Sequence, residues 1–433
     1  MALIAKKIKG TEDILPRDSY KWQIVEKALS TEAKSYGFSE IRTPVFEQTK
    51  LFQRGVGEGT DVVQKEMYTF ETKGGESLTL RPEGTAGAAR AFLEHGLFND
   101  ALPVKAYYFT TCYRYEKPQA GRQREFHQFG MEVYGADDPL ADAELICAAS
   151  SIFERLNLHN IRLEINSIGC PECRKKYHAA LKEYFSQFTD TLCATCMSRL
   201  EKNPMRILDC KSPVCKEIAA GAPKITDFLC ESCDDHFSKV QQYLTASGVN
   251  FTVNPSIVRG LDYYTNTVFE FISDSIGAQS TVCGGGRYNG LIEELGGNPT
   301  PALGFAIGLE RLMMVIEKEA PFTDKDGTSS LYIATMGDNA KATALNLVNE
   351  VRKAGFIAHT DIVGRGLKAQ MKYANKIGSL YSIVLGDNEI ETGKANIKNM
   401  ETGEQKEISL GDSFAVDFIN IAMSEEMDYP ISD

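Results

Sequence analysis

Between Tyr107 and Gly135 the chain reads YYFTTCYRYEKPQAGRQREFHQFGMEVYG. At a period of two, Thr110, Cys112, Arg114 and Glu116 share one face of a first strand, and Gln128, Gly130 and Glu132 share one face of a second. Tyr107, Phe109, Phe129, Met131 and Val133 fall on the opposite, mostly apolar faces. The polar face thus combines a guanidinium, two carboxylates and an amide, with Gly130 leaving space above the sheet for a ligand. Lys117, Arg122 and Arg124 stand in the connecting loop, where cations could close over a polyphosphate. The ordinary alternative is an amphipathic surface hairpin with solvated charges.

Other stretches offer matching chemistry. Glu83, followed by Gly84 and Thr85, ends a strand over Ser77 to Arg81 and opens a helix, so its carboxylate can receive an ammonium group or cap the helix. Arg259-Gly260-Leu261-Asp262-Tyr263-Tyr264 runs into a strand over Thr267 to Ile272; both tyrosines reach one pocket only if the backbone there is irregular. Cys283-Gly284-Gly285-Gly286-Arg287-Tyr288 lets a ligand or another backbone approach closely. Thr300 to Ile316 reads as an amphipathic helix, with Phe305, Leu309, Leu312 and Ile316 on a core stripe. Gly304, Gly308 and Arg311 then share another face, clear for a flat ligand beside the arginine.

These residues need elements to position them. A helix is expected over Arg17 to Tyr36, a strand over Phe38 to Val45 with Pro44 at an edge or subunit boundary, a glycine-rich loop from Arg54 to Gly59, and a helix over Asp138 to Leu156. A charged linker, Glu317 to Ser330, precedes alternating strands and helices that read as a small α/β domain with a largely parallel sheet. In that domain Lys368, Lys372 and Lys376 repeat every four residues near Arg365, a face able to contact phosphates or simply to be solvated.

At 433 residues the chain has room for two or three domains. A formal charge of −12 argues against non-specific coating of nucleic acid without excluding a local basic site. Neither a signal peptide nor a run of membrane-spanning length is evident, so a cytoplasmic protein is expected. Eight of the 11 cysteines, Cys170, Cys173, Cys193, Cys196, Cys210, Cys215, Cys230 and Cys233, lie in one stretch, with His178 and His236 nearby. They could form one or two tetrahedral Zn2+ sites or remain reduced thiols in a small insert, and spacing does not settle their pairing.

FSEIRTPVFE, YRYEKPQAGRQREFHQFGMEVYG and ALGFAIGLERL resemble motifs 1, 2 and 3 of class II aminoacyl-tRNA synthetases, and RGLDYY and GGGRYNGL resemble the histidine-recognition motifs of the histidyl-tRNA synthetase family. The resemblance implies an α+β protein: an antiparallel-sheet catalytic domain flanked by helices over 1–325, a cysteine-rich insertion at about 170–250, and an α/β anticodon-binding domain over 330–433. It also implies ATP-dependent formation of histidyl-adenylate with Mg2+, transfer to tRNA(His), and a homodimer. It gives catalytic roles to Arg259, Arg114 and Arg311. Glu83, Gly84, Thr85, Arg114, Gln128, Glu132, Arg259, Tyr263 and Tyr264 would bind L-histidine, and Arg114, Glu116, Arg122 and Arg311 would bind ATP. Arg365, Lys368 and Lys372 would contact tRNA. Asn289 stands where the family more often has Asp. A synthetase-like regulatory subunit of ATP phosphoribosyltransferase is the rival expectation.

Overall fold

The computed structural model describes residues 4–57, 60, 62–322 and 329–426. The chain divides into two units, Met1–Phe322 and Thr323–Asp433. The first begins with α1 (Ser19–Ser35), β1 (Ser39–Glu40), β2 (Phe46–Gln48), α2 (Thr49–Val56), β3 (Tyr68–Glu71), β4 (Ser77–Leu80) and α3 (Thr85–Glu94). It continues through β5 (Val104–Tyr113), β6 (Glu125–Tyr134), α4 (Pro139–Arg155) and β7 (Ile161–Ser167). Four helices follow: α5 (Pro171–Ser186), α6 (Ala194–Lys202), α7 (Pro213–Ala220) and α8 (Glu231–Ala246). The unit closes with β8 (Phe251–Val253), β9 (Thr265–Ser273), β10 (Thr281–Arg287), α9 (Leu291–Glu294), β11 (Ala302–Gly308) and α10 (Leu309–Glu319).

Eight strands form one sheet in the order β1-β5-β6-β11-β10-β9-β7-β8. It is antiparallel except where β1 meets β5 and β7 meets β8. One face buries Tyr107, Phe129, Met131, Val133, Phe269, Phe271 and Phe305 beneath α1, α4 and α8. Helix α4 starts where Asp138 accepts the Leu140 amide at 2.8 Å and Pro139 occupies the first turn. Its Asp142 pairs with the fully buried Arg287 of β10 and, at 3.1 Å, with His236 of α8. Burial alone would raise the Asp142 carboxyl; the His236 hydrogen bond and the Arg287 charge hold it below its ordinary range.

Several elements differ from the sequence expectation. The helix expected over Thr300 to Ile316 is a strand to Gly308 and a helix only from Leu309. Both faces of β11 are covered, so Ala302 to Phe305 are all buried and the sequence shows no strand alternation there. Gly304, Gly308 and Arg311 therefore do not share a helical face. The strand expected over Phe38 to Val45 is reduced to β1, and Pro44 lies between β1 and β2. Of the expected glycine-rich loop, Arg54 to Val56 are helical, whereas Glu58 and Gly59 lie outside the described residues, as do Asp326 and Gly327 of the linker.

The second unit holds β12 (Leu331–Thr335), α11 (Asp338–Lys353), β13 (Ala358–Thr360), α12 (Leu367–Lys376), β14 (Tyr381–Leu385), α13 (Asp387–Thr392), β15 (Lys394–Asn399), β16 (Gln405–Ser409) and α14 (Phe414–Glu426). Its sheet runs β13-β12-β14-β15-β16. The first three strands are parallel, and the β15–β16 hairpin adds an antiparallel edge.

Candidate active site

The side of the large sheet facing away from α1, α4 and α8 sets glycines and alanines in register beside larger polar residues. Across it run Tyr108, Gly130, Ala306, Gly284 and Glu270; one step along run Ala106, Glu132, Gly304 and Gly286. The glycines make room for neighbouring side chains. A Cβ on Gly130 would lie 2.3 Å from the Tyr108 ring, one on Gly284 2.4 Å from the Arg259 guanidinium, and one on Gly304 1.7 Å from Glu132 Oε2. The space expected above Gly130 is thus filled by Tyr108 rather than left for a ligand. Arg259 lies over Gly284 and pairs with Glu270 of β9.

Glu132 is fully buried and accepts hydrogen bonds from Thr85 Oγ1 and the Tyr108 hydroxyl, each at 2.8 Å, and from the Tyr288 hydroxyl. Burial outweighs these bonds and pushes its carboxyl up to about 8. Glu83 sits at the head of α3, accepting the Thr85 and Ala86 amides at 2.7 and 2.8 Å. Burial raises this carboxyl as well, against those two amides and the Arg114 charge.

The guanidiniums come from separate elements. Arg114 follows β5, donates from Nε to the Pro82 carbonyl at 2.9 Å and stacks on Phe126. Arg122 pairs with Glu116 at 2.9 Å. Arg311, in the first turn of α10, donates to the Gly121 and Thr281 carbonyls at 2.9 and 2.8 Å. Its neighbour Glu310 accepts the His127 amide and contacts His127 Nδ1 at 2.8 Å, fixing the start of α10 against β6. Burial and the adjacent Arg122 charge push Arg311 down to about 10, a site short of negative charge.

One cavity of about 330 Å³ is lined by Glu83, Thr85, Arg114, Glu116, Arg122, Gln128, Arg259, Tyr263, Tyr264 and Arg311, so most of the expected site residues meet. Glu132 and Gly84 are not among its lining residues. Glu132 lies under the floor and reaches the wall through Thr85, while the Tyr108 ring covers Gly84. Gly260 to Tyr264 precede β9, and both tyrosines do face inward, their rings 4.7 Å apart. Sequence reading missed Tyr108, Tyr288 and Glu270. Tyr108 has the parity of Thr110, so extending the alternation two residues back finds it; Glu270 was visible as a lone carboxylate within an apolar strand. Asn289 joins chain segments: its side chain accepts the Ala302 amide at 3.2 Å and donates to Asp137 at 3.3 Å.

A family model described as histidyl-tRNA synthetase matches residues 10–173 and 208–312. The chain belongs to the histidyl-tRNA synthetase family. An anticodon-binding-domain model matches residues 330–417. Among relatives of this histidyl-tRNA synthetase family member, the histidine–tRNA ligase of Clostridium novyi (strain NT) is 56% identical over 402 residues, covering 93% of this chain and 96% of the relative. Apo S. aureus histidyl-tRNA synthetase superposes with a TM-score of 0.82 at 41% identity, covering 96% of this chain and 100% of that one. A Bacillus halodurans C protein titled ATP phosphoribosyltransferase regulatory subunit/histidyl-tRNA synthetase shares the fold, with a TM-score of 0.64 at 21% identity over 89% of this chain and 99% of its own.

Proposed function

We propose that the chain is a histidine–tRNA ligase that activates L-histidine with ATP and transfers it to tRNA(His). The observation that carries this reading is the meeting of Arg114, Arg259 and Arg311 with Glu83 in one polar cavity. Its substrates bring both signs of charge: an ammonium and carboxylate on histidine, and the phosphates of ATP. Attack by the histidine carboxylate on the α-phosphate forms the acyl-phosphate bond and expels pyrophosphate. The 3′-terminal hydroxyl of tRNA then attacks the adenylate carbonyl and releases AMP.

Both reactants of the first step are anionic, so alignment and charge neutralisation dominate, and no protein nucleophile is needed. Arg259 serves the carboxylate and α-phosphate, Arg114 the α-phosphate side, and Arg311 with Arg122 the far phosphates; Glu116 lies toward the adenine. The low proton affinity of Arg311 reflects a buried cation cluster that an anionic ligand relieves. Glu83, Thr85 and Gln128 take the histidine ammonium, and Tyr263 and Tyr264 the imidazole side. Glu132 sets the position of Thr85, Tyr108 and Tyr288 from beneath. Glu310 lines the cavity beside Arg311 and would offer a carboxylate oxygen to Mg2+ arriving with ATP, a hard donor that fits this ion. Mg2+ supplies further neutralisation of the triphosphate.

A second copy of the chain covers the broad groove of about 1440 Å³ lined by Thr43, Pro44, Glu47 and Arg90, a reading supported by exposed Val45, Phe46 and Leu102 nearby. In the second unit, exposed Lys368 and Lys372 meet tRNA phosphates. Arg365 is committed to Asp361 at 2.8 Å and stacked on Tyr373, so it shapes that surface.

Histidine-dependent exchange of pyrophosphate into ATP tests the assignment. The intact protein is expected to catalyse exchange, and Arg259→Ala, verified as folded by its melting curve, is expected to lose it. No exchange by the intact protein would favour the regulatory-subunit reading; full exchange by the variant would remove Arg259 from the mechanism.

A further inference from the structure

The eight clustered thiols separate into two sets in a nested order. Cys170, Cys173, Cys230 and Cys233 meet in one, and Cys193, Cys196, Cys210 and Cys215 in the other, with all four sulfurs of each set within 4.8 Å of one another. The outer two pairs thus close around the inner two.

The distances suit a shared ion. A tetrahedron with metal–sulfur bonds of about 2.3 Å has edges of about 3.8 Å. Cys170 and Cys173 stand 3.6 Å apart and Cys193 and Cys210 3.9 Å. Those separations are far too long for a disulfide, and all eight thiols are free.

Local structure holds the sulfurs in place. Cys170, Cys193 and Cys230 immediately precede α5, α6 and α8, and Cys173, Cys196 and Cys233 lie in the first turns of those helices. Cys215 occupies the corresponding turn of α7. Amides also cross between pairs: Cys230 N–H donates to Cys173 Sγ at 3.1 Å, and Cys193 N–H to Cys215 Sγ at 3.3 Å. Each set has two buried and two half-buried cysteines, as in a closed structural site. Neither histidine from this stretch joins a set; His236 is bonded to Asp142.

We propose that the insert binds two structural Zn2+ ions, one in each tetrathiolate set. Four soft sulfur donors select zinc over the hard cations that accompany nucleotides. The ions stabilise a segment of helices that braces the wall of the active site. Arg174, beside Cys173, donates to the Tyr264 carbonyl at 3.1 Å, and Arg206, between the inner pairs, donates to the Gly260 carbonyl at 2.8 Å. The family model leaves residues 174–207, and with them Cys193 and Cys196, unmatched.

Full-length protein, purified reduced and without chelator, is assayed by plasma mass spectrometry and titrated with an organomercurial in the presence of a zinc indicator. The expected result is two zinc ions per chain, released in proportion to modification of the eight clustered thiols, one ion for every four. Zinc-free folded protein with reduced thiols would overturn the proposal. One ion per eight thiols would overturn the separate sites, and iron in place of zinc would overturn the metal assignment.

Discussion

Glu132→Gln exposes the cost of holding a carboxyl under the sheet floor. Burial places Glu132 at about 8, against about 4.5 for a solvated glutamate carboxyl. Because the folded value lies above the unfolded one, stability linked to this group is fully present below the unfolded value and is lost as pH rises through the folded one. Glutamine has a similar shape and no proton to lose. By linkage, the wild type loses about 2 kcal/mol relative to the variant between pH 6 and pH 8, and only a few tenths between pH 8 and pH 9, where both states ionise. For a unit of this size about 1 kcal/mol corresponds to about 2 °C, so the melting-temperature difference shifts by about 4 °C in favour of the variant.

Scanning calorimetry of both proteins from pH 6 to pH 9 measures this shift directly. Every other titrating group is common to the two chains, so its contribution cancels in the difference. Any fixed offset from lost hydrogen bonds also cancels, since only the pH dependence is predicted. A difference that stays constant, or that favours the wild type as pH rises, would show that Glu132 is already ionised in the free protein.

Three further outcomes follow from the packing and charge. Asp142→Asn removes the buried ion-pair partner of Arg287, leaving it only the exposed Asp137 at 3.5 Å, and is expected to cost about 3 kcal/mol, read as a lower melting temperature; an unchanged melt rejects that pairing. Gly304→Ala pushes a methyl group into Glu132 and is expected to destabilise by about 1–3 kcal/mol while impairing pyrophosphate exchange; a neutral effect would mean that the floor can yield. Lys368→Ala with Lys372→Ala is expected to weaken tRNA binding and reduce its logarithmic salt slope by about 1–2, with adenylate formation retained; unchanged tRNA affinity rejects the patch.

The hairpin of β5 and β6 was legible because one side carries Phe109, Phe129 and Met131 into the core while the other carries the polar set. Periodicity then has a physical cause. The same reasoning failed at Ala302 to Gly308, where both faces are covered and glycines four residues apart imitate a helical stripe. In the second unit the parallel strands were readable as apolar runs between helices, whereas the short β15–β16 hairpin, largely exposed along β16, gave little signal. Nor could spacing show that Thr85, Tyr108 and Tyr288, from three segments, converge on Glu132, or that the cysteine pairs nest. Those facts are tertiary.

Glu83 shows why a helix cap and a ligand-binding group need not be competing assignments. Its two oxygens accept the Thr85 and Ala86 amides, so the head of α3 fixes the carboxylate's position with bonds that use backbone rather than mobile side chains. A carboxylate has about four lone-pair directions, and two amides leave acceptor capacity for an ammonium. Burial raises the carboxyl, while those amides and Arg114 favour its charged form. An arriving ammonium acts in the same direction as the amides. The cap therefore prepares the carboxylate for a cation: it orients the group beforehand, and binding completes a charge environment that the free protein leaves partly unsatisfied.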